Sequence, residues 1–257
     1  MSIPPYPNPH GKLLRKTAIV TGGSKGIGRA IVQKFISEGA QVLIFDIEKP
    51  SGLDLPEGSV AVFEGDVTKE EDWKAALEMC VREFGKCDIL VNNAGVVHIA
   101  APSTEVPKAE YDRIMKTNIT PLYHSARTLL PHFRSQGAGA IINISSISAP
   151  RPRPNLVWYA GSKGAVSSIT RGLAAEFAPY NVRVNAVLPV VAETGMVASV
   201  LGGEDSVEGR ERLRGQIPLG RLGRPGDVAN AVAWLAGEES SFVTGTEVRV
   251  DGGRSLL

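Results

Sequence analysis

The sequence predicts an α/β fold, a single doubly wound domain in which a parallel sheet of seven strands carries helices on both faces. Two observations lead to this prediction. Short apolar runs rich in β-branched residues alternate with longer segments of helical periodicity along the 257 residues. The sequence shows no internal repeat, linker or low-complexity tract. We therefore expect one domain over 12–257, preceded by an extended, proline-containing arm over 1–11.

Composition and charge exclude several classes of protein. The chain is 43% hydrophobic and 21% charged, as is typical of soluble proteins, and its net charge of +1 favours neither nucleic acid nor an anionic membrane as partner. Its apolar runs are too short for a membrane helix, and the amino terminus lacks a signal-peptide pattern. We expect a cytoplasmic protein with reduced thiols at Cys80 and Cys87, and no metal site. The final residues, 255–257, only faintly resemble a peroxisomal signal.

The first unit is a strand, a glycine turn and a helix. Thr17–Val20 is apolar and β-branched, and helical periodicity runs from Arg29 to Glu38. The glycines between them allow a sharp turn and close approach of a ligand, and the helix start offers free N–H groups to a pyrophosphate. This pattern predicts a Rossmann-type dinucleotide site. Its predicted cofactor contacts are Gly22, Ser24, Lys25, Gly26, Ile27 and Gly28.

The second strand, Gln41–Phe45, ends at Asp46, twenty-four residues after Gly22. A carboxylate there can accept hydrogen bonds from the adenosine ribose, and it repels the additional phosphate of NADP. The expected cofactor is therefore NAD. Lys25 is the opposing signal because it could meet a 2′-phosphate, although a lysine at a helix start is more often a solvated charge.

The third strand, Val60–Phe63, leads to Asp66 and Val67, and a helix is predicted to begin near Glu70 with Thr68 as its cap. Asp66 is either a turn residue or a carboxylate beside the adenine amino group. The fourth strand, Asp88–Val91, runs into the small and amide residues Asn92–Gly95, which either form a turn or let the cofactor lie close.

A long helical pattern over Pro107–Arg134 follows, with a predicted bend near Pro121 and with Asn118 just before the bend. The stretch Ala140–Lys163 then places Ser146 at the end of a fifth strand and Tyr159 thirteen residues later, on a helix predicted over Val157–Ala178. Lys163 stands one turn beyond Tyr159 on the same helix face. By itself such a pair is more often a solvated or half-buried helix face, so the rest of the chain must decide.

The remaining elements complete the sheet. The predicted elements are a sixth strand over Val182–Val187, a cover region over 188–225, a helix over Gly226–Ala236 with Asp227 in its first turn, and a last strand over Glu247–Val250.

Together these residues resemble the short-chain dehydrogenase/reductase family over about Lys12–Gly253. The motifs that carry the resemblance, in chain order, are the glycine turn, Asp46, Asp66-Val67, the NNAG of Asn92–Gly95, Asn118, Ser146 with Tyr159 and Lys163, and Asn185 with Pro189 and Thr194.

The resemblance implies a catalytic group of Asn118, Ser146, Tyr159 and Lys163. Tyr159 exchanges the proton of the alcohol, Ser146 steadies the substrate oxygen, and Asn118 holds a water. Lys163 lowers the pKa of Tyr159 and holds the nicotinamide ribose. The implied cofactor contacts are Asp66 and Val67 at the adenine, Asn93, Ala94 and Gly95 along the cofactor, and Ala192 and Thr194 at the nicotinamide carboxamide. A homodimer or homotetramer is implied as well.

Because side chains alternate across a strand, only one of Ser145 and Ser146 can face the pocket, and the spacing favours Ser146. Three features depart from the family pattern or stay open. Val190 replaces a common glycine, which predicts a narrower nicotinamide pocket. Pro150–Pro154 predicts an extended loop whose Arg151 and Arg153 are either solvated or bind a carboxylate. His98 is more often a bystander than a substrate contact.

The function expected is hydride transfer between NAD and a secondary alcohol or ketone, in a mostly apolar pocket near Val97, Trp158, Val191 and Met196. An NADPH-linked ketoreductase of fatty-acid or polyketide type is the first alternative, which Lys25 permits and Asp46 opposes. A nucleotide-binding scaffold without turnover ranks below both, because all four catalytic positions hold competent residues.

Overall fold

Seven parallel strands form the sheet of this protein, whose computed structural model describes residues 8–257. The strands are β1 (Thr17–Thr21), β2 (Gln41–Asp46), β3 (Val60–Glu64), β4 (Ile89–Asn92), β5 (Gly139–Ile144), β6 (Val182–Pro189) and β7 (Glu247–Val250). They lie in the order β3-β2-β1-β4-β5-β6-β7, and every neighbouring pair is parallel. The predicted doubly wound parallel sheet is confirmed.

Helices cover both faces of the sheet, as predicted. They are α1 (Gly26–Ser37), α2 (Glu70–Phe84), α3 (Lys108–Asn118), α4 (Thr120–Gln136), α5 (Val157–Phe177), α6 (Met196–Leu201), α7 (Val207–Arg214) and α8 (Pro225–Ala236). Alternation along β1 divides the core between the two faces: Val20 packs in the cluster formed with α1 and α8, and Ile19 packs in the cluster formed with α2 and α4. Both faces are therefore apolar, as a parallel sheet covered on two sides requires.

The helix predicted over Pro107–Arg134 is two helices. α3 ends at Asn118, and α4 begins at Thr120 with Pro121 in its first turn. Proline lacks an N–H group, and the first turn of a helix leaves its N–H groups unpaired in any case, so Pro121 is suited to start a new helix. The predicted bend is thus a break at Ile119.

The amino-terminal prediction is tested only in part, because residues 1–7 lie outside the described residues. The described portion, 8–11, forms a turn rather than an extended arm, and Asn8 Nδ2 donates to the Ser37 carbonyl at the end of α1 at 2.9 Å. Cys80 and Cys87 are buried free thiols.

The region predicted as a cover begins later than expected, because β6 continues to Pro189. Beyond it, α6 and α7 pack around a small apolar cluster that includes Val197, Leu213 and Ile217. A bridge between Ala192 and Gly223 ties the start of this region to its end. The segment therefore has a core of its own above the carboxyl ends of the strands.

Across residues 8–257, no helix is both long enough and apolar enough to cross a lipid bilayer. Within the same range, no group of three His, Cys, Asp or Glu side chains is arranged to hold a metal ion.

Candidate active site

One cavity of about 1010 Å³ lies at the carboxyl ends of the strands, where ligands of open parallel sheets bind. It brings together residues predicted from six separate stretches of the chain. The predicted site residues on its wall are Gly22, Lys25, Gly26, Ile27, Gly28, Asp46, Asp66, Val67, Asn93, Ala94, Gly95, Ser146, Tyr159, Lys163, Ala192 and Thr194. Two more predicted residues, Ser24 and Asn118, do not line the cavity.

The glycine turn packs too closely to accept side chains. Gly22 has a φ of +62°, and a Cβ on Gly28 would lie 2.0 Å from the Gly22 carbonyl oxygen. This contact brings the start of α1 onto the end of β1. In the described residues no side chain caps α1 and no acidic residue lies in its first turn, so its N–H groups and dipole face the cavity unneutralised. Such a helix start fits a pyrophosphate.

Asp46 is held in place by backbone groups at the end of β2. Its Oδ2 accepts a hydrogen bond from the Ser24 N–H at 2.9 Å and its Oδ1 one from the Glu48 N–H at 3.3 Å. The Ser24 hydroxyl donates to the Glu48 carbonyl at 2.6 Å. In this way the backbone and side chain of Ser24 position the segment that carries Asp46. The prediction that Ser24 contacts the cofactor stays a prediction.

Lys25 was the signal for a 2′-phosphate, and its charge is already paired. Its Nζ lies 3.1 and 3.2 Å from the two carboxylate oxygens of Glu48. Glu48 follows Asp46 by two residues, and of these two carboxylates only that of Asp46 lies on the cavity wall.

The residues after β4 are organised by Thr21, which the sequence reasoning did not single out. Its Oγ1 accepts hydrogen bonds from the N–H groups of Asn93 at 2.9 Å and Ala94 at 3.0 Å. The Asn93 Nδ2 donates in return to the carbonyls of Thr21 and Gly22, at 2.9 and 3.1 Å. The side chain of Asn93 thus fixes the glycine turn, while its backbone and that of Ala94 line the cavity.

The prediction that Thr68 caps α2 is wrong. Lys69 occupies the cap position without a side-chain hydrogen bond, and the Thr68 hydroxyl is buried without a partner among the described residues. Asp72, in the first turn of α2, instead accepts a hydrogen bond from the Asp66 N–H at 2.7 Å. Asp66 also accepts from the Thr68 N–H at 2.9 Å, so its carboxylate is both a turn residue and part of the cavity wall.

Lys163 is buried on α5, and its Nζ donates to the Ile144 carbonyl at the end of β5 at 2.8 Å. Burial lowers the pKa of Lys163 from 10.5 to about 8, because the charged form loses solvation. The ammonium group lies over the Tyr159 ring, 5.9 Å from its centroid.

Burial raises the pKa of Tyr159, whereas the sequence predicted that Lys163 lowers it. The hydrogen bond with Ser146 and the charge of Arg153 act in the lowering direction but do not overcome the burial. Because the Lys163 ammonium is directed to the Ile144 carbonyl, its effect on the phenol is weaker than a direct contact would give. In this structure the phenol is therefore protonated at neutral pH.

Ser145 and Ser146 follow β5, and both contribute to the cavity wall. The Ser145 Oγ donates to the Lys163 carbonyl at 2.9 Å and lies 3.1 Å from the Ser167 Oγ, which fixes α5 to the sheet. The Ser146 Oγ accepts a hydrogen bond from the Ser148 N–H at 3.1 Å, and the Ser146 hydroxyl lowers the pKa of Tyr159. The choice of Ser146 over Ser145 as the reacting group stays a prediction.

Asn118 is the last residue of α3, and its side chain hydrogen-bonds to both the N–H and the carbonyl of Val96, a residue after β4. Its Oδ1 accepts from the Val96 N–H at 2.8 Å, and its Nδ2 donates to the Val96 carbonyl and to the Ser162 Oγ, each at 2.9 Å. The Ser162 hydroxyl donates in turn to the Tyr159 carbonyl at 2.7 Å. With its amide engaged in this way, Asn118 positions the catalytic helix, and holding a water by its side chain stays a prediction.

The substrate end of the cavity is mostly apolar, with arginines at its rim. The apolar residues there include Ile147, Val190, Val191, Met196, Val200, Leu213 and Ile217. Trp158 was expected in this pocket, but its indole N–H donates to the Ser103 carbonyl at 3.0 Å and its ring packs edge-on against Tyr111. His98 is also buried away from the cavity, with Nδ1 2.8 Å from the Ile99 carbonyl.

The proline–arginine loop is not extended as predicted. It begins with a turn in which the Arg151 N–H donates to the Ile147 carbonyl at 3.0 Å, and Asn155 at its end has a φ of +67°. These turns place both Arg151 and Arg153 on the cavity wall.

Comparisons with known proteins agree with the geometry. A family model described as enoyl-(acyl carrier protein) reductase matches residues 22–255. The chain is 43% identical to 4-formylbenzenesulfonate dehydrogenase of Comamonas testosteroni over 95% of this chain and 99% of that protein. It is 37% identical to 3beta-hydroxysteroid dehydrogenase 1 of Eggerthella lenta over 94% of each chain. A crystal structure of 3-ketoacyl-(acyl-carrier-protein) reductase from Brucella melitensis complexed with NADH superposes with a TM-score of 0.88 at 38% identity, covering 95% of this chain and 99% of that one.

Proposed function

The chain belongs to the short-chain dehydrogenase/reductase family, and its relatives include several dehydrogenases. We propose that it transfers a hydride between NAD(H) and a secondary alcohol or the corresponding ketone. One observation carries the proposal. The same cavity is lined by the glycine turn at one end and by Ser146, Tyr159 and Lys163 at the other.

The residues fit a nicotinamide dinucleotide, which accepts or donates the hydride when bound. The turn of Gly22 and Gly28 leaves backbone N–H groups facing the cavity, and Asp46 supplies an acceptor for ribose hydroxyls. The backbones of Asn93 and Ala94 line the space between these groups and the catalytic end.

Tyr159 moves the proton in this proposal. Its raised pKa keeps the phenol protonated at neutral pH, which suits donation to a carbonyl oxygen during reduction. During oxidation the same group must first lose its proton, and the positive charges of Lys163 and Arg153 nearby favour that loss. The Ser146 hydroxyl holds the substrate oxygen while its charge changes.

The choice of NAD over NADP is part of the proposal and is supported by Asp46 and the Lys25–Glu48 pair. Asp46→Asn keeps the acceptor for the Ser24 N–H but removes the charge, so we expect weaker discrimination against NADP without loss of the turn. Asp46→Ala should relax discrimination further. Fluorescence titration of NADH and NADPH measures both affinities.

The matched control is Glu64→Gln, which removes an exposed carboxylate at the end of β3, paired with Lys49 at 3.6 Å. It should leave the NADH-to-NADPH ratio unchanged. Equal affinity of the parent protein for the two cofactors would refute the argument from Asp46.

A ketoreductase acting on acyl-carrier substrates is the second candidate, since one relative of known structure is a 3-ketoacyl-(acyl-carrier-protein) reductase. A panel of secondary alcohols and ketones, including a 3-ketoacyl thioester, separates the two when reduced nicotinamide is followed by absorbance. Turnover of the thioester alone, with NADPH, would favour the second candidate.

Assembly into a dimer or tetramer is also proposed. Large apolar side chains of Trp234, Phe242, Leu256 and Leu257 are exposed in the single chain, which supports association. Sedimentation equilibrium measures the stoichiometry, and a monomer at micromolar concentration would contradict the proposal.

A further inference from the structure

Arginines without carboxylate partners surround the substrate end of the cavity. Arg151, Arg153 and Arg254 line it, and Arg212 lies near enough to lower the pKa of Arg153. The acidic residues on the cavity wall, Asp46 and Asp66, follow β2 and β3 at the opposite end of the sheet order. The substrate end of the cavity therefore carries an uncompensated positive charge.

Arg153 is the arginine that reaches deepest. It is half-buried, and its Nη2 donates to the Val200 carbonyl on α6 at 2.7 Å. Burial and the neighbouring charges of Arg254 and Arg212 lower its pKa, while Tyr159 acts in the raising direction. The guanidinium is thus near enough to Tyr159 and to two like charges to be affected by all three.

The other two of these arginines on the cavity wall, Arg254 and Arg151, also donate hydrogen bonds to uncharged groups. Arg254 is half-buried and its Nη2 donates to the Gln216 Oε1 at 3.1 Å. Arg151 is exposed and its Nη1 donates to the Ser255 carbonyl at 3.1 Å. Within residues 8–257, none of these arginines has a carboxylate at ion-pair distance.

Neighbouring arginines that do not line the cavity provide the contrast. Arg210, Arg214 and Arg221, in the same covering region, each have a carboxylate oxygen at 2.6 Å. On the cavity wall, Arg113 is likewise paired with Glu110 at 2.8 Å, so the arginines there that lack a carboxylate partner are Arg151, Arg153 and Arg254. Like charges held together without a counterion are unfavourable unless a ligand supplies the anion.

We propose that Arg153, assisted by Arg254, binds an anionic group of the substrate, a carboxylate or a sulfonate, so that the substrate is a hydroxy or keto acid with an apolar body. This inference rests on the proposed function, because it assigns a substrate class to the same cavity. The apolar side chains of Val191, Met196 and Ile217 contact the body, and the planar guanidinium fork suits the oxyanion.

A matched pair of substrates tests the proposal. The wild-type enzyme with NAD is assayed on 3-hydroxycyclohexanecarboxylate and on its primary amide, which differ in charge but hardly in shape. We expect kcat/KM to favour the acid by about 10- to 100-fold, the range for a charge-assisted hydrogen bond. Turnover of the neutral amide tests the proposed function separately.

Variants assign the preference to Arg153. Arg153→Gln should bring the acid-to-amide ratio close to one, mainly through KM of the acid, and Arg153→Lys should keep part of it. Arg214→Gln is the control, because it removes a positive charge from the same region that Glu211 already neutralises. It should leave the ratio unchanged.

Binding without turnover provides an independent measurement. Calorimetric titration of the NADH-loaded protein with benzoate, benzenesulfonate and benzamide should show at least about tenfold weaker binding of the two anions to Arg153→Gln, with benzamide unaffected. The relative affinities of benzoate and benzenesulfonate distinguish a carboxylate from a sulfonate site. Thermal melting shows whether each variant is folded, and Arg153→Lys keeps the test available if Arg153→Gln is not.

Three results would overturn the proposal. The wild-type enzyme could show no preference for the acid, or the preference could persist in both Arg153→Gln and Arg254→Gln. Arg153→Gln could also lower kcat equally on acid and amide and leave the acid-to-amide ratio unchanged, which would mean that Arg153 acts only on Tyr159 and not on the substrate. If no alcohol is oxidised but the anions still bind through Arg153, the proposed function fails and the anion site stands.

Discussion

Raising the pH should stabilise this protein through Lys163. Burial lowers the pKa of the ammonium group to about 8 from 10.5. The unfolded chain exposes the same group to water, so the unfolded state binds more protons than the folded state between these two pH values. The free energy of unfolding must therefore rise as the pH rises through this interval. At pH values below the interval, Lys163 is charged in both states and the destabilisation caused by its buried charge is fully present.

The size of the effect follows from the difference in pKa. One pKa unit corresponds to about 1.4 kcal/mol, so moving from about pH 7 to about pH 10 should increase the free energy of unfolding by about 2–3 kcal/mol. Lys163 is 6% exposed, and solvent screening therefore reduces this figure little.

Many groups titrate over this pH range, so the contribution of Lys163 to the free energy of unfolding is obtained as the difference between two proteins. Both proteins carry Tyr159→Phe, which removes the titration of the neighbouring phenol, and one also carries Lys163→Met. Urea unfolding of the nucleotide-free proteins is followed by tryptophan fluorescence, to which Trp73, fully buried on α2, contributes. The difference between the two free energies should change by about 2–3 kcal/mol between the two pH values. Parallel pH profiles would refute the reasoning.

Five further substitutions separate chemistry from structure. Tyr159→Phe should lower kcat by about 10²- to 10⁴-fold with NADH affinity nearly unchanged, because it removes the proton carrier and little volume; wild-type turnover on any substrate would contradict the assignment. Ser146→Ala should lower kcat by about 10²-fold with little change in melting temperature, whereas Ser145→Ala should destabilise by about 1–3 kcal/mol, since it leaves buried partners unsatisfied. Gly28→Ala should destabilise by about 2 kcal/mol or more, because its Cβ would meet the Gly22 carbonyl at 2.0 Å, while Gly226→Ala, with open space around its Cβ, should not.

The fold was predictable because its signals are local. The alternation of apolar strands and amphipathic helices located all seven strands. The break between α3 and α4 was seen only as a bend, since Pro121 marks a helix start as readily as a kink.

The properties that depend on burial could not be predicted. A sequence shows that Lys163 lies one turn from Tyr159, but it does not show that Lys163 is buried, that Tyr159 is half-buried, or that the ammonium donates to the Ile144 carbonyl. For the same reason the direction of the Tyr159 pKa shift was expected wrongly. The placement of Arg153 on the cavity wall also depends on turns at both ends of its loop.

The side chain of Asn118 behaves as a peptide group within the fold. It offers an acceptor and a donor to the two polar atoms of Val96, as a neighbouring strand would. The same amide donates to the Ser162 hydroxyl, which in turn donates to the Tyr159 carbonyl, so Asn118 is also connected to the turn of α5 that carries Tyr159. The end of α3, the segment after β4 and the start of α5 are thereby fixed to one another by a single amide. The spacing between the segment after β4 and the turn of α5 that carries Tyr159 is therefore set by a side chain that does not itself line the cavity.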